Sequence, residues 1–149
     1  MKNFQNRAVE SNVATKAEHP SVTKYMTKDL ITFTPDMDIN DVINSLLKHR
    51  ISGAPVLNAN GEVVGLIDDK DCLNVLFGNV YNRTPVVPET VSKYMSNVMK
   101  SISIHDNIMD VAYVFSTSAY KRLMVKDDNN KLVGQISRRD ILRAIKDMD

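Results

Sequence analysis

Ser137 and Asp140 stand three residues apart in Gly134-Gln135-Ile136-Ser137-Arg138-Arg139-Asp140, and they are the pair whose types and spacing could receive a ligand. A hydroxyl on the first turn of a helix lies beside amide donors and the positive end of the helix dipole. A carboxylate three residues on adds an acceptor, so the turn presents polar groups to a ligand. The same two residues also spell a capping box, which needs no ligand and is worth about 1 kcal/mol. The heptapeptide alone admits both readings.

Gly65-Leu66-Ile67-Asp68-Asp69-Lys70-Asp71 superposes on that heptapeptide without a gap, with the two aspartates 69 residues apart (140 − 71). The same offset carries Val22-Thr23-Lys24-Tyr25-Met26-Thr27 onto Val91-Ser92-Lys93-Tyr94-Met95-Ser96, and Ile39, Val42, Val56 and Val64 onto Ile108, Val111, Val125 and Val133. A gapless period of this length is an internal duplication. The copies differ in charge. Residues 22–77 hold 5 Lys and Arg against 8 Asp and Glu, whereas residues 91–148 hold 10 against 6. Asp68 stands where the second copy has Ser137, a carboxylate in place of a hydroxyl. Asp68, Asp69 and Asp71 read as a solvated face on a helix N-terminus rather than as metal ligands.

The elements that must position these residues repeat in each copy. Ile31–Thr34 reads as a brief strand ended by Pro35, and Asp38 as the N-cap of a helix. The core face of that helix carries Ile39, Val42, Ile43, Leu46 and Leu47 at helical spacing. Residues 54–57 and 63–67 are strand-like runs joined by Asn58-Ala59-Asn60-Gly61, a β-hairpin signal. Pro55 implies an edge strand, or a donor turned away from the ladder. Asp68 or Asp69 then opens a second helix through Leu73, Val75, Leu76 and Phe77, closed by Gly78. In the second copy Ser101–Ile104 is the strand, Asn107 caps a helix, Asp127–Asn130 makes the turn, and Ser137 opens the last helix through Ile141, Leu142 and Ile145. Met26, Met95, Met99 and Met109 read as packing residues. Residues 1–20 form a tail or short helix, 21–78 the first repeat, 79–90 a linker too irregular for a helix, and 91–149 the second repeat.

Composition narrows the function classes. A chain of 149 residues, 43% hydrophobic and 25% charged, buries a real core. A formal charge of +1 gives no field for nucleic acid or an anionic membrane surface. The charges spread through residues 1–20 exclude a signal peptide or a membrane span in that stretch. The single cysteine, Cys72, cannot form an internal disulfide or build a thiolate metal site, and is read as a half-buried helix residue in a reducing, cytoplasmic setting. His19, His49 and His105 pair with no nucleophile at readable spacing, so no catalytic constellation and no metal site is expected.

A duplicated unit of this order, with the Tyr-Met-Thr/Ser lead-in and terminal motifs of glycine, two strand residues, Ser or Thr, two residues and Asp, resembles the CBS domain pair, or Bateman module. The resemblance covers about Ser21 to Asp149. It implies an α/β (α+β) fold of two tandem β-α-β-β-α repeats packed about a pseudo-twofold axis, with clefts that in many members bind adenine nucleotides or related adenosyl ligands. It implies a regulatory sensor or oligomerisation unit rather than an enzyme, with no required cofactor. By the resemblance, Ser137 and Asp140 take the ribose and phosphate oxygens and Lys121 and Arg122 supply positive charge for phosphate. Gln135, Arg138, Thr34 and Ile67 complete the contacts, Ile39 lies close by, and Asp71 and Ser103 mark a weaker second site. Met124 stands where proline is common in the family, and Gln135 where an apolar residue is common. The expected ligand is AMP-like, and the expected partners are a second copy of the chain and an effector protein. The alternative is a ligand-free dimerisation or interaction module that associates through its helices.

Overall fold

Hydrophobic periodicity and caps set the order of elements along the chain, and the computed structural model describes residues 19–82, 89–97 and 99–149. A single 3-10 turn, Val22–Lys24, precedes α1 (Ile39–His49), β1 (Gly53–Leu57), β2 (Val63–Asp68), α2 (Asp69–Asn82) and α3 (Val91–Tyr94). Then follow β3 (Ser101–Ser103), α4 (Ile108–Ser116), β4 (Arg122–Lys126), β5 (Leu132–Ser137) and α5 (Arg138–Asp147). The tail expected over residues 1–20 and the apolar stretch of the linker, with Pro85 and Pro88, lie almost wholly outside the described residues.

Two compact units emerge, and their boundaries are not those of the sequence repeats. Unit 1 joins the described residues up to Lys28 to Lys100–Asn129 and Val133–Asp149; unit 2 is Asp29–Met99 with Asn130–Leu132. Each lead-in therefore packs on the copy it does not precede. In unit 1, Val22 N donates to Asp106 O at 3.1 Å, and Thr27 and Gln135 exchange backbone hydrogen bonds at 2.8 and 3.0 Å. In unit 2, Val91 N donates to Met37 O at 2.9 Å, and Ser96 and Leu66 exchange bonds at 2.8 and 2.9 Å.

The cores repeat this exchange residue for residue. Unit 2 buries Phe33, Ile39, Val42, Val56 and Ile67 among others, and the residues 69 positions later, Ile102, Ile108, Val111, Val125 and Ile136, are buried in unit 1. The lead-in valines cross over: Val91 enters the core of unit 2 and Val22 that of unit 1, both fully buried. Burial of a valine on this scale is worth about 1.5–3 kcal/mol, enough to hold a short segment in place.

Three local expectations are revised. Ile31–Thr34 contracts to one parallel bridge, Phe33 to Val56, whereas its counterpart forms the strand β3, parallel to β4 from Ser101–Met124 to Ser103–Lys126. The cause is Pro55. At the equivalent place Met124 N donates to Lys100 O at 3.3 Å, and proline has no N–H with which to make that bond. Second, α2 runs through Gly78 to Asn82, so the linker loses its first residues to the helix. Third, Leu47 and Met109, read as packing residues, are 73% and 40% exposed.

The hairpins hold as read. β1 and β2 pair antiparallel with Gly53 opposite Asp68, and Gly61 takes φ +78 at the turn. Asn130, 69 residues on, takes φ +62 at the matching place, asparagine being one of the few side chains that tolerate it. β4 and β5 are hydrogen-bonded neighbours in the sheet order β3-β4-β5.

Candidate site at the first turn of the last helix

The end of β5 runs straight into α5, which is why Ser137 and Asp140 meet. Ser137 has extended backbone (φ −111, ψ 167), so its side chain turns back over the helix start. Its Oγ accepts from Asp140 N at 3.3 Å, while Asp140 Oδ2 accepts from Ser137 N at 2.9 Å and from the Ser137 hydroxyl at 3.0 Å. This is a complete capping box. Asp140 Oδ1 is held differently: it accepts from one Arg143 guanidinium nitrogen at 3.3 Å, with the Arg143 side chain 56% exposed. The Asp140 side chain is only 13% exposed, so the weak point of the pair is its length and its solvated arginine; such a bond is worth about 1 kcal/mol or less and can give way to a better donor.

Arg143 was not singled out in the sequence. It also donates to Tyr25 O at 3.3 Å and lies 5.9 Å from the Tyr25 ring centre, and the Tyr25 hydroxyl donates to Asp147 Oδ2 at 3.2 Å. The i, i+3 spacing to Asp140 is a readable signal for an ion pair. The Tyr25 contact spans 118 residues of chain and has no local signature.

The other residues named from the sequence divide between the units. Gln135 uses its backbone to pair with Thr27, leaving a half-buried side chain on β5. Arg138 is exposed on the first turn of α5 and donates to Ser118 O at 3.4 Å. Lys121 is exposed immediately before β4, and Arg122, half-buried, begins that strand. The offset of 69 sets Arg122 at the register position that Gly53 takes opposite Asp68 in the first hairpin (122 − 53). Ser103, on β3, accepts from His105 N at 3.0 Å through Oγ. Thr34 belongs to unit 2, where its exposed hydroxyl donates to Asp36 at 2.7 Å. Ile67 is fully buried in the core of unit 2, so of the backbone and apolar contacts expected around it the side chain serves packing and the backbone is what is left to meet a ligand. Ile39, 2% exposed, is a core residue for the same reason.

The matching turn in unit 2 is built from carboxylates alone. Asp68 N donates to Asp71 Oδ2 at 3.0 Å and Asp71 N to Asp68 Oδ1 at 2.9 Å. Burial raises the Asp71 carboxyl above its ordinary value; the Asp68 backbone N–H opposes that rise, and the Asp68 and Asp69 charges add to it. Burial, reinforced by Asp71, Asp68 and Asp69, pushes the Cys72 thiol up to about 11, which leaves it a buried packing group rather than a nucleophile. Among the described residues no group of three His, Cys, Asp or Glu side chains is arranged to hold a metal ion, and no helix is long and apolar enough to cross a membrane.

Comparison with known proteins gives this geometry its context. The CBS domain family matches residues 22–78 and 91–147. Inosine-5'-monophosphate dehydrogenase of Methanocaldococcus jannaschii is 26% identical over 95% of this chain, which spans only 27% of that enzyme. The chloroplastic CBS domain-containing protein CBSX1 of Arabidopsis thaliana is 29% identical over 92% of this chain and 71% of its own length. Among solved structures, CBSX2 in complex with AMP has a TM-score of 0.74 at 24% identity, covering 86% of this chain and 97% of that one. The CBS domain pair of MJ0100, in complex with 5'-methylthioadenosine and S-adenosyl-L-methionine, has a TM-score of 0.73 at 23% identity, covering 88% and 99%.

Proposed function

The chain belongs to the CBS domain family, and on that premise we propose that it is a regulatory module, not an enzyme, which binds an adenosine ligand of the AMP type at the start of α5. The observation that carries this is the division of labour within Asp140: Oδ2 completes the cap, while Oδ1 is held by one long bond from a solvent-exposed arginine. A ribose hydroxyl replaces that bond without dismantling the helix start. Ser137 and the first-turn amides then face the sugar or phosphate oxygens, with Lys121, Arg122 and Arg138 supplying positive charge. Gln135 is the polar side chain on the strand leading into the site. The neighbours solved with AMP and with S-adenosyl-L-methionine support the same ligand class. In unit 2 the Asp68–Asp71 pair presents carboxylates at the same turn, so that turn is the weaker one for an anion.

Calorimetric titration with AMP, ADP, ATP and S-adenosylmethionine tests the reading. Asp140→Ala is expected to weaken binding of the preferred ligand by about 1.5–3 kcal/mol, and Asp71→Ala to leave it nearly unchanged. Equal losses from both substitutions, or heats indistinguishable from dilution with every compound, would refute it.

The signal has to reach a partner, and a second copy of the chain is the partner we favour. Among the described residues, every large hydrophobic side chain left exposed lies on α1, α2, α4 or α5, or on Met148, which closes α5. Apolar surface of this kind on the helices of each unit supports an interaction role.

A further inference from the structure

One guanidinium nitrogen in unit 1 serves two acceptors from distant parts of the chain. Nη2 of Arg143 donates to Asp140 Oδ1 at 3.3 Å and to Tyr25 O at 3.3 Å, and the guanidinium lies 5.9 Å from the centre of the Tyr25 ring. A terminal guanidinium nitrogen carries two N–H groups, so both bonds are made at once. The Tyr25 hydroxyl donates in turn to Asp147 Oδ2 at 3.2 Å, one turn further along α5. Arg143 thus ties the carboxylate of the candidate site to the first lead-in, residues 21–27.

The offset of 69 shows that unit 2 lacks this tie. Asp140 and Tyr25 have counterparts in Asp71 and Tyr94, but Arg143 falls on Asn74 and Asp147 on Gly78 (143 − 74 and 147 − 78). Asn74 is exposed and uncharged. Tyr94 lies instead 5.7 Å from Lys93 of its own segment, which pairs with Glu89 at 2.9 Å. The tie is therefore no requirement of the repeat, and it accompanies the turn that offers a ligand a hydroxyl rather than the turn built from carboxylates.

A ribose hydroxyl on Oδ1 takes the acceptor that Arg143 uses. Arg143 is 56% exposed, and what remains of its hold on Tyr25 is one long bond and a solvated cation–π contact, both weak once the carboxylate no longer fixes the guanidinium. The ends of the lead-in stay docked, because Val22 is fully buried and Thr27 exchanges backbone bonds with Gln135. What loosens is the turn between them, closed by Tyr25 N and Met26 N, each donating to Val22 O at 3.0 Å. Reciprocity makes the coupling run both ways: the factor by which the ligand weakens the turn is the factor by which the docked turn weakens the ligand.

We infer that the ligand and the first lead-in compete for Arg143, so that occupation of Asp140 Oδ1 releases the arginine and loosens the turn at Val22–Met26. This rests on the adenosine site proposed above, and it specifies how occupancy of that site is passed on.

Calorimetric titration of the full chain and of Arg143→Met with AMP and 5'-methylthioadenosine, together with amide hydrogen exchange followed by NMR, tests the competition. The substitution keeps an apolar stem against the Tyr25 ring and removes both hydrogen bonds. Methylthioadenosine carries a ribose and no phosphate, so its affinity reports the competition without the loss of a positive charge. It is expected to bind the variant about threefold tighter, whereas removing a residue that merely shapes the site would weaken binding. In the parent chain, saturating AMP is expected to speed exchange of the Tyr25 and Met26 amides by about threefold; in the variant, where exchange is already fast, AMP should leave it unchanged. Methylthioadenosine affinity that the substitution leaves unchanged or weakens would overturn the inference. So would parent-chain amides that AMP leaves alone or slows, a readout that needs no variant. In either case the site itself stands or falls separately, on Asp140→Ala. Absence of binding heat with both ligands and both chains would overturn the site and the inference together.

Discussion

Asp140 and Asp71 occupy the same place in the two repeats, and their surroundings give them different chemistry. Asp140 faces a serine hydroxyl and an arginine, whereas Asp71 faces Asp68 and is half-buried. Because its folded-state pKa lies above the ordinary 3.8, Asp71 contributes stability that is fully present below pH 3.8 and is lost as the pH rises through the elevated value. At neutral pH it is therefore a source of strain. Asp71→Asn keeps an acceptor for the Asp68 N–H and removes the charge, so it should raise the melting temperature at pH 7. The gain should fade toward zero below pH 3.8, where the parent residue is already neutral. Calorimetry at the two pH values checks this, and an equal gain at both would show that packing rather than ionisation is responsible. The cap itself was legible from Ser137 and Asp140 because it is local. What the sequence could not disclose was the hold of Arg143 on both Asp140 and Tyr25, since that contact depends on where a distant segment packs.

Among the elements, glycine and proline were legible as punctuation, but their effects follow from which backbone groups they meet. Pro55 was read as an edge signal; its real effect is to deny Ile31 a donor and reduce a strand to one bridge, while Met124 makes the corresponding bond. Gly78 was read as a helix stop, yet a stop of that kind needs positive φ, and among the described residues positive φ occurs at Arg50, Gly61 and Asn130. The two motif glycines serve a third purpose. A Cβ on Gly134 would lie 2.6 Å from Met26 Sδ and 3.0 Å from Thr27 O, and one on Gly65 would lie 2.5 Å from Met95 Sδ and 3.1 Å from Ser96 O. These glycines allow the exchanged lead-ins to approach, which explains their place in the motif without any ligand. Opposite outcomes follow for one kind of substitution. Gly78→Ala, with open space around it inside a helix, should stabilise by about 0.5–1 kcal/mol. Gly134→Ala should destabilise by about 1–3 kcal/mol through overpacking against the lead-in. Urea unfolding of the two variants measures both, and a destabilising Gly78→Ala would argue that the helix ends where the sequence pattern first placed it.

At the scale of the whole chain, the exchanged lead-ins mean that the repeat seen in the sequence and the unit that folds have different boundaries. The duplication made the element order and nearly every core position readable, because those depend on periodicity within one copy. The exchange left no trace in that pattern: Val22 and Val91 fit the repeat equally well wherever they pack. The consequence is a choice between two fragments of similar size. Residues 22–78 reproduce the sequence repeat, but they omit Val91 from the core and lose five backbone bonds to the second lead-in: Ile39 N to Glu89 O, Val91 N to Met37 O, Ser92 N to Pro35 O, and the reciprocal pair between Leu66 and Ser96. They also carry Val22 with no core to enter. Residues 29–99 contain the ten buried residues of the unit 2 core, Phe33 through Val91, and each of those bonds. Loss of one buried valine and several paired backbone groups, at about 1.5–3 kcal/mol for the side chain and about 1 kcal/mol for each bond, is comparable to the whole stability of a small domain. The 29–99 fragment should therefore unfold cooperatively in a thermal scan monitored by circular dichroism, while the 22–78 fragment should show no transition. A cooperative transition in 22–78 alone would mean that a repeat can recruit its own lead-in, and the exchange would then be one of two accessible arrangements rather than a requirement of the fold.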